Sequence, residues 1–246
     1  MQSAPTRIAI VTGGSRGIGR DIAMELAAQG CDVVIGYHGR ADIAEAVVRD
    51  IEELGRGALA VKGDVARESD VEALFDATLA RFGRIDIVVS NAGIMKNVPI
   101  TGAGIADFDA IIRTNARGCF LVFAQAGKHL QDGGRLIALS SSVIAKATPG
   151  YGPYIASKAV VEALVHVMAN ELRGRGITVN AVAPGPVATE LFLEGKSEQQ
   201  IEALAKTAPL ERLGTPADIA SAVAFLASRE GGWVNAQVVR VNGGFA

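Results

Sequence analysis

Short runs rich in Val and Ile alternate along the chain with longer stretches in which apolar residues recur at helical spacing. The pattern predicts alternating β-strands and α-helices. Strands are expected at 7–12, 32–37, 58–62, 85–90, 135–140, 178–183 and 237–241, with helices at 18–29, 41–54, 69–82, 107–130, 154–173 and 216–227. Strands joined by helices pair in parallel through crossovers, so the expected architecture is an α/β fold with one seven-stranded parallel sheet and helices on both faces. No linker or short-period repeat divides residues 1–246, which are read as one domain. Residues 184–216 break the rhythm with a polar, charged segment, long enough to form a lid over a site.

Composition narrows the class. With 246 residues, 49% of them apolar and 20% charged, the chain can bury a sizeable core and is no disordered protein. No stretch approaches the ~18 apolar residues of a membrane span. The net charge of −2, without a basic tail, argues against a nucleic-acid partner. Cys31 and Cys119 have no CxxC spacing, and His38, His129 and His166 are scattered, so neither a disulfide framework nor a metal site is expected. Residues 1–6 are too short and polar for a signal peptide, which leaves the cytosol as the expected compartment.

The first strand runs directly into Thr12-Gly13-Gly14-Ser15-Arg16-Gly17-Ile18-Gly19, where a helix begins. Glycines in that position let the backbone approach a pyrophosphate, which the helix N-terminus then holds. No GK[ST] follows, so a Walker-type nucleotidase is disfavoured. A dinucleotide site selects NAD when an acid ends the second strand and takes the ribose 2′-OH. Here Asp32 lies at the wrong end, about 16 Å away at ~3.3 Å per residue, and Tyr37, His38 and Arg40 occupy the right one. Arg16 and Arg40 are suited to a 2′-phosphate, the chemistry of NADP(H) recognition.

Tyr154 and Lys158 stand at i and i+4 of a predicted helix, about 6 Å apart on one face. A phenol of ordinary pKa ~10 works as a general acid or base near neutrality when a fixed cation stabilises its phenolate. Tyr151 is a competing phenol whose i+4 neighbour is Ile155. The preceding strand ends in Ser140-Ser141-Ser142 at the carboxyl edge of the sheet, where a hydroxyl can hold a carbonyl oxygen. Chemistry alone does not choose among the three serines.

Taken together these motifs resemble the short-chain dehydrogenase/reductase family, over the chain from the first strand to Gly244. Its TGxxxGxG motif is matched at Thr12–Gly19, NAG at Asn91-Ala92-Gly93, the active-site asparagine at Asn115, YxxxK at Tyr154–Lys158, and PG at Pro184-Gly185. The family serine lies 13 residues before the tyrosine, which selects Ser141. The resemblance implies a Rossmann-type doubly wound fold and a catalytic set of Asn115, Ser141, Tyr154 and Lys158. Gly13, Ser15, Arg16, Gly17, Ile18 and Gly19 would hold the pyrophosphate, with Tyr37, His38 and Arg40 beyond them. Asp64 and Val65 would flank the adenine, while Asn91, Ala92 and Gly93 line the cleft. Pro184, Gly185, Val187 and Thr189 would cover the nicotinamide, Lys158 would hold its ribose, and Asn115 would hold a water in a relay to the lysine. Ser90 departs from the second asparagine of many members, a change expected to touch local packing alone.

The implied activity is NADP(H)-dependent, reversible reduction of a ketone or aldehyde to an alcohol, with Tyr154 as general acid/base. One alternative is reduction of 3-oxoacyl groups on acyl carrier protein; another, of a different class, is a dinucleotide-binding sensor without catalysis. Candidate substrate-pocket residues are Ile94, Met95, Val143 and Ile144, together with Tyr151, Val187, Leu191 and Phe192. They are mostly apolar, which suits a hydrophobic or aromatic carbonyl. The helix 154–173 has more apolar faces than one sheet contact covers, and the last strand has little chain to shield its edge. With the resemblance, this implies a homotetramer of D2 symmetry.

Overall fold

The Val/Ile runs form strands because β-branched side chains pack well on a pleated surface covered on both sides. In the computed structural model, which describes residues 5–102 and 104–246 except for the side chain of Leu191, seven strands form one sheet. They are β1 (Ile8–Thr12), β2 (Asp32–Tyr37), β3 (Ala58–Lys62), β4 (Ile87–Ser90), β5 (Arg135–Leu139), β6 (Thr178–Pro184) and β7 (Val238–Val241). Their order is β3-β2-β1-β4-β5-β6-β7, every pair parallel. The order reverses direction between β1 and β4, the switch point at which open α/β sheets bind ligands.

One face of the sheet packs against α1 (Gly17–Ala28), α2 (Ala41–Glu53) and α9 (Pro216–Ala227); the other meets α3 (Glu68–Phe82), α5 (Gly118–His129) and α6 (Gly152–Glu171). α9 starts where the sequence signals it, with Pro216 in the first turn and a reciprocal capping box between Thr215 and Asp218. No helix among the described residues is long and apolar enough to cross a membrane.

Two regions differ from the sequence expectation. The helical region expected at 107–130 is helical throughout but is divided into α4 (Ile105–Ile111), a π-helical turn (Ile112–Arg117) and α5. Apolar spacing does not register the extra residue of a π-turn. The lid, expected as irregular, contains α7 (Glu190–Leu193) and α8 (Glu198–Ala205). α8 is only eight residues long, and its apolar stripe of Ile201, Leu204 and Ala205 is short and only partly buried, although Ser197 and Gln200 form a capping box.

Candidate active site

The cleft begins where β1 meets α1. Gly13 and Gly17 have φ of 65° and 53°, the left-handed region that favours glycine. At Gly19 a Cβ would lie 2.2 Å from the Gly13 carbonyl oxygen. The loop therefore depends on glycine for its closeness to the α1 N-terminus, whose first-turn N–H groups have no partner within the helix. Asn91 fixes the loop from the neighbouring strand: its Nδ2 donates to the Thr12 and Gly13 carbonyls at 2.9 and 3.2 Å. The Asn91 and Ala92 amides donate in turn to Thr12 Oγ1. This cradle fits a pyrophosphate.

From there a cleft of about 1080 Å³ crosses the carboxyl ends of the strands to the end of β5. The three serines at that end do different work. Ser140 Oγ donates to Glu162 Oε1 at 2.6 Å, and Ser142 Oγ donates to the Ala183 carbonyl while accepting from Asn242 Nδ2. Ser141 faces the cleft, where its hydroxyl stands beside the Tyr154 phenol. Burial pushes that phenol up to about 12, against a lesser downward pull from Ser141. Lys158, 5% exposed, donates to the Leu139 carbonyl at 2.7 Å, and burial pushes its ammonium down to about 8.

A family model described as enoyl-(acyl carrier protein) reductase matches residues 13–246. A short-chain type dehydrogenase/reductase of Picea abies is 49% identical over 97% of this chain and 92% of its own. The chain belongs to the short-chain dehydrogenase/reductase family. An NADPH-dependent aldehyde reductase-like protein of Arabidopsis thaliana, chloroplastic by name, is 43% identical over 97% of this chain and 94% of its own. A short-chain dehydrogenase from Burkholderia cenocepacia, solved in complex with NADP, superposes with a TM-score of 0.92 at 36% identity, covering 97% of both chains.

Lys158 stands beside Tyr154, as the i+4 spacing predicts. The ammonium lies 5.7 Å from the centre of the Tyr154 ring and donates to the Leu139 carbonyl, and burial pushes both groups toward their neutral forms. Tyr151 also lines the cleft and meets Tyr154 edge-on, ring centres 6.4 Å apart.

Asn115 sits in the π-turn, almost fully buried behind the cleft wall. Its side chain accepts from the Ile94 amide and donates to the Ile94 carbonyl, clamping the segment after β4 that carries Gly93. It also donates to Ser157 Oγ, which donates to the Tyr154 carbonyl. Ser90, the departure from the family pattern, is buried beside the thiol of Cys119, a local packing role.

Most of the expected residues line the cleft. Gly13, Ser15, Arg16, Gly17, Ile18, Gly19, Tyr37, His38 and Arg40 do so at one end, with Asp64, Val65, Asn91, Ala92 and Gly93 beside them. Pro184, Gly185, Val187 and Thr189 form the roof, and Ile94, Met95, Val143, Tyr151 and Phe192 the far walls. Ile144 is a correction: it lies in the turn Ser142–Ala145 and is absent from the cleft lining, because the turn presents Val143 instead. The side chain of Leu191 falls outside the described residues.

Arg16 and Arg40 are both engaged by carboxylates. Arg40 grips Asp42 through two hydrogen bonds of 2.9 and 2.6 Å, and Arg16 lies 3.7 Å from Glu190 of the lid. Asp42 was in plain sight two residues after Arg40; Glu190 required the folded lid. Phe245 is a further cleft residue the sequence reading missed. The turn at Gly243 and Gly244, with φ of 61° and 87°, brings it back to the cleft, where Lys146 lies 4.9 Å from its ring centre.

Proposed function

We propose that this protein is an NADP(H)-dependent reductase of ketones or aldehydes, reversible as an alcohol dehydrogenase. The observation that carries the reading is the Ser141–Tyr154 hydroxyl pair at one end of a cleft whose other end is a glycine cradle. NADPH, when bound, supplies a hydride to the carbonyl carbon. The Ser141 hydroxyl donates to the substrate oxygen and orients it, and the Tyr154 phenol, kept protonated by burial, delivers the proton to that oxygen. Lys158 holds its ammonium beside the phenol from the Leu139 carbonyl, and Asn115 holds the Gly93–Ile94 wall opposite.

The glycine cradle and the Arg16–Arg40 end fit a dinucleotide bearing a 2′-phosphate, since a phosphate can replace Asp42 and Glu190 as the guanidinium partner. The similarity to an NADPH-dependent aldehyde reductase-like protein and to an NADP complex supports both cofactor and reaction. Met95, Val143, Tyr151, Phe192 and Phe245 make the substrate end apolar and aromatic, suited to a hydrophobic or aromatic ketone.

A homotetramer accords with two exposed apolar patches. Phe120, Val160 and Val167 are exposed on α5 and α6; Phe225 and the fully exposed Trp233 stand near the sheet edge formed by β7. Light scattering of active enzyme should give about four times the monomer mass, and a monomer mass would refute the assembly.

The deciding assay is a panel of aromatic ketones, diketones, aldehydes and acetoacetyl thioesters with NADPH and with NADH. Oxidation of NADPH by a ketone or aldehyde supports the reading. Preference for the thioesters would favour the acyl-carrier alternative, and dinucleotide binding without turnover of any carbonyl would favour a sensor.

A further inference from the structure

Three side chains at successive i+4 positions of α6 reach three consecutive residues at the end of β5. Tyr154 meets the Ser141 hydroxyl, Lys158 donates to the Leu139 carbonyl at 2.7 Å, and Glu162 accepts from Ser140 Oγ at 2.6 Å. Residues four apart stack on one face of a helix, so the three contacts act as one seam. Two of them belong to the chemistry proposed above. The third does not: Ser140 is buried, 3% exposed, and Glu162 stands one turn beyond Lys158.

We infer that Glu162 is a positioning residue, whose bond to Ser140 sets the register of α6 against the end of β5 and thereby aligns Tyr154 with Ser141. The inference rests on the proposed roles of those two residues. A half-buried carboxylate brought to a short, charge-assisted bond with a buried hydroxyl holds its partner more firmly than a neutral acceptor would. Ser140 is also held through its amide, which donates to the Val182 carbonyl at 2.8 Å. The strand is thus fixed within the sheet by its backbone and to the helix by its side chain. Loss of the side-chain bond leaves the sheet intact and frees the helix to shift by a fraction of an ångström, a displacement to which proton transfer is sensitive.

The test compares Glu162→Ala, Glu162→Gln, Ser140→Ala and the double variant Ser140→Ala/Glu162→Ala in the full-length protein. Carbonyl-reduction kinetics, NADPH binding by fluorescence, and amide exchange of residues 139–143 are measured on each. Glu162→Ala and Ser140→Ala are expected to lower kcat by roughly 10- to 100-fold with NADPH affinity changed less than a few-fold. The double variant should be no worse than the poorer single, because one bond is lost in all three. Glu162→Gln keeps an acceptor and should restore most of kcat. Exchange of residues 139–143 should quicken in the alanine variants and return toward wild type in Glu162→Gln.

Unchanged kcat in both alanine variants, multiplicative losses in the double variant, or a Gln variant as poor as Ala would each overturn the inference. If Glu162→Ala does not fold, Ser140→Ala alone decides between the outcomes. If the wild-type protein reduces no carbonyl, the proposed function fails separately; exchange then judges the seam, and unchanged exchange in the alanine variants overturns it.

Discussion

At the glycine-loop end of the cleft the charged side chains stand in water: Arg16 and Glu190 are 70% and 87% exposed, and Arg40 and Asp42 are nearly as open. At the β5 end Lys158 is 5% exposed, Tyr154 is displaced toward its neutral form by burial, and each serine hydroxyl has a specific partner. Exposed ion pairs contribute little and are screened by salt, so their guanidinium groups can change partner for a ligand phosphate. Buried hydroxyls and ammonium groups are costly to leave unpaired, so their geometry is set before a ligand arrives. One end of the cleft is built to exchange partners and the other to hold position.

The strongest way to break this comparison is at Tyr154. Tyr154→Phe should lower kcat by about 100- to 10,000-fold while NADPH affinity stays within a few-fold, because only the proton donor is removed. Retained turnover there, with the loss appearing in Tyr151→Phe, would assign the chemistry to the other phenol. Ser141→Ala should lower kcat by roughly 100-fold. Ser142→Ala should act mainly on stability, by about 1–3 kcal/mol, since it removes a donor from the Ala183 carbonyl and one of the acceptors of Asn242 Nδ2. Equal kcat losses in the two variants would remove the distinction between the serines.

Lys158 tests the buried end through pH. Its folded pKa of about 8 lies below the ordinary 10.5, so between those values the unfolded chain binds more protons and folding becomes more favourable as pH rises. Lys158→Met should remove that rise, gaining on the order of a few degrees in Tm at pH 7 relative to wild type and less at pH 10. A Tm difference independent of pH over this range would show that the ammonium does not carry the burial penalty.

Smaller effects are expected at the exposed end. Arg40→Asp should move kcat/KM toward NADH several-fold, because a carboxylate repels a 2′-phosphate and can accept from a ribose hydroxyl. Asp42→Asn should do the reverse and modestly tighten NADPH by releasing Arg40. NADPH affinity should weaken as salt rises, while kcat at saturation stays nearly constant; a kcat that falls in parallel would mean that the two ends are coupled.

Strand and helix alternation, the glycine loop and the Tyr154–Lys158 spacing were legible along the chain because each depends on residues close in sequence. A Val-rich run, a glycine that must adopt positive φ and an i+4 pair are all short-range facts. The shifts at element ends have the same origin: β4 begins at Ile87 rather than at residue 85, and α6 begins at Gly152, ahead of Tyr154, where Pro153 fits a first turn.

Tertiary structure decided what depended on partners distant in sequence. The bond that ties Asn115 of the π-turn to Ile94 spans 21 residues, the Ser140–Glu162 bond spans 22, and the contact of Asn242 with Ser142 spans 100. Only the fold shows that Arg16 meets a lid carboxylate, that Phe245 returns to the cleft, and that burial pushes the Tyr154 phenol up. Local sequence fixes backbone preference and side-chain chemistry, whereas desolvation and long-range hydrogen bonding exist only once the chain has excluded water from between its parts.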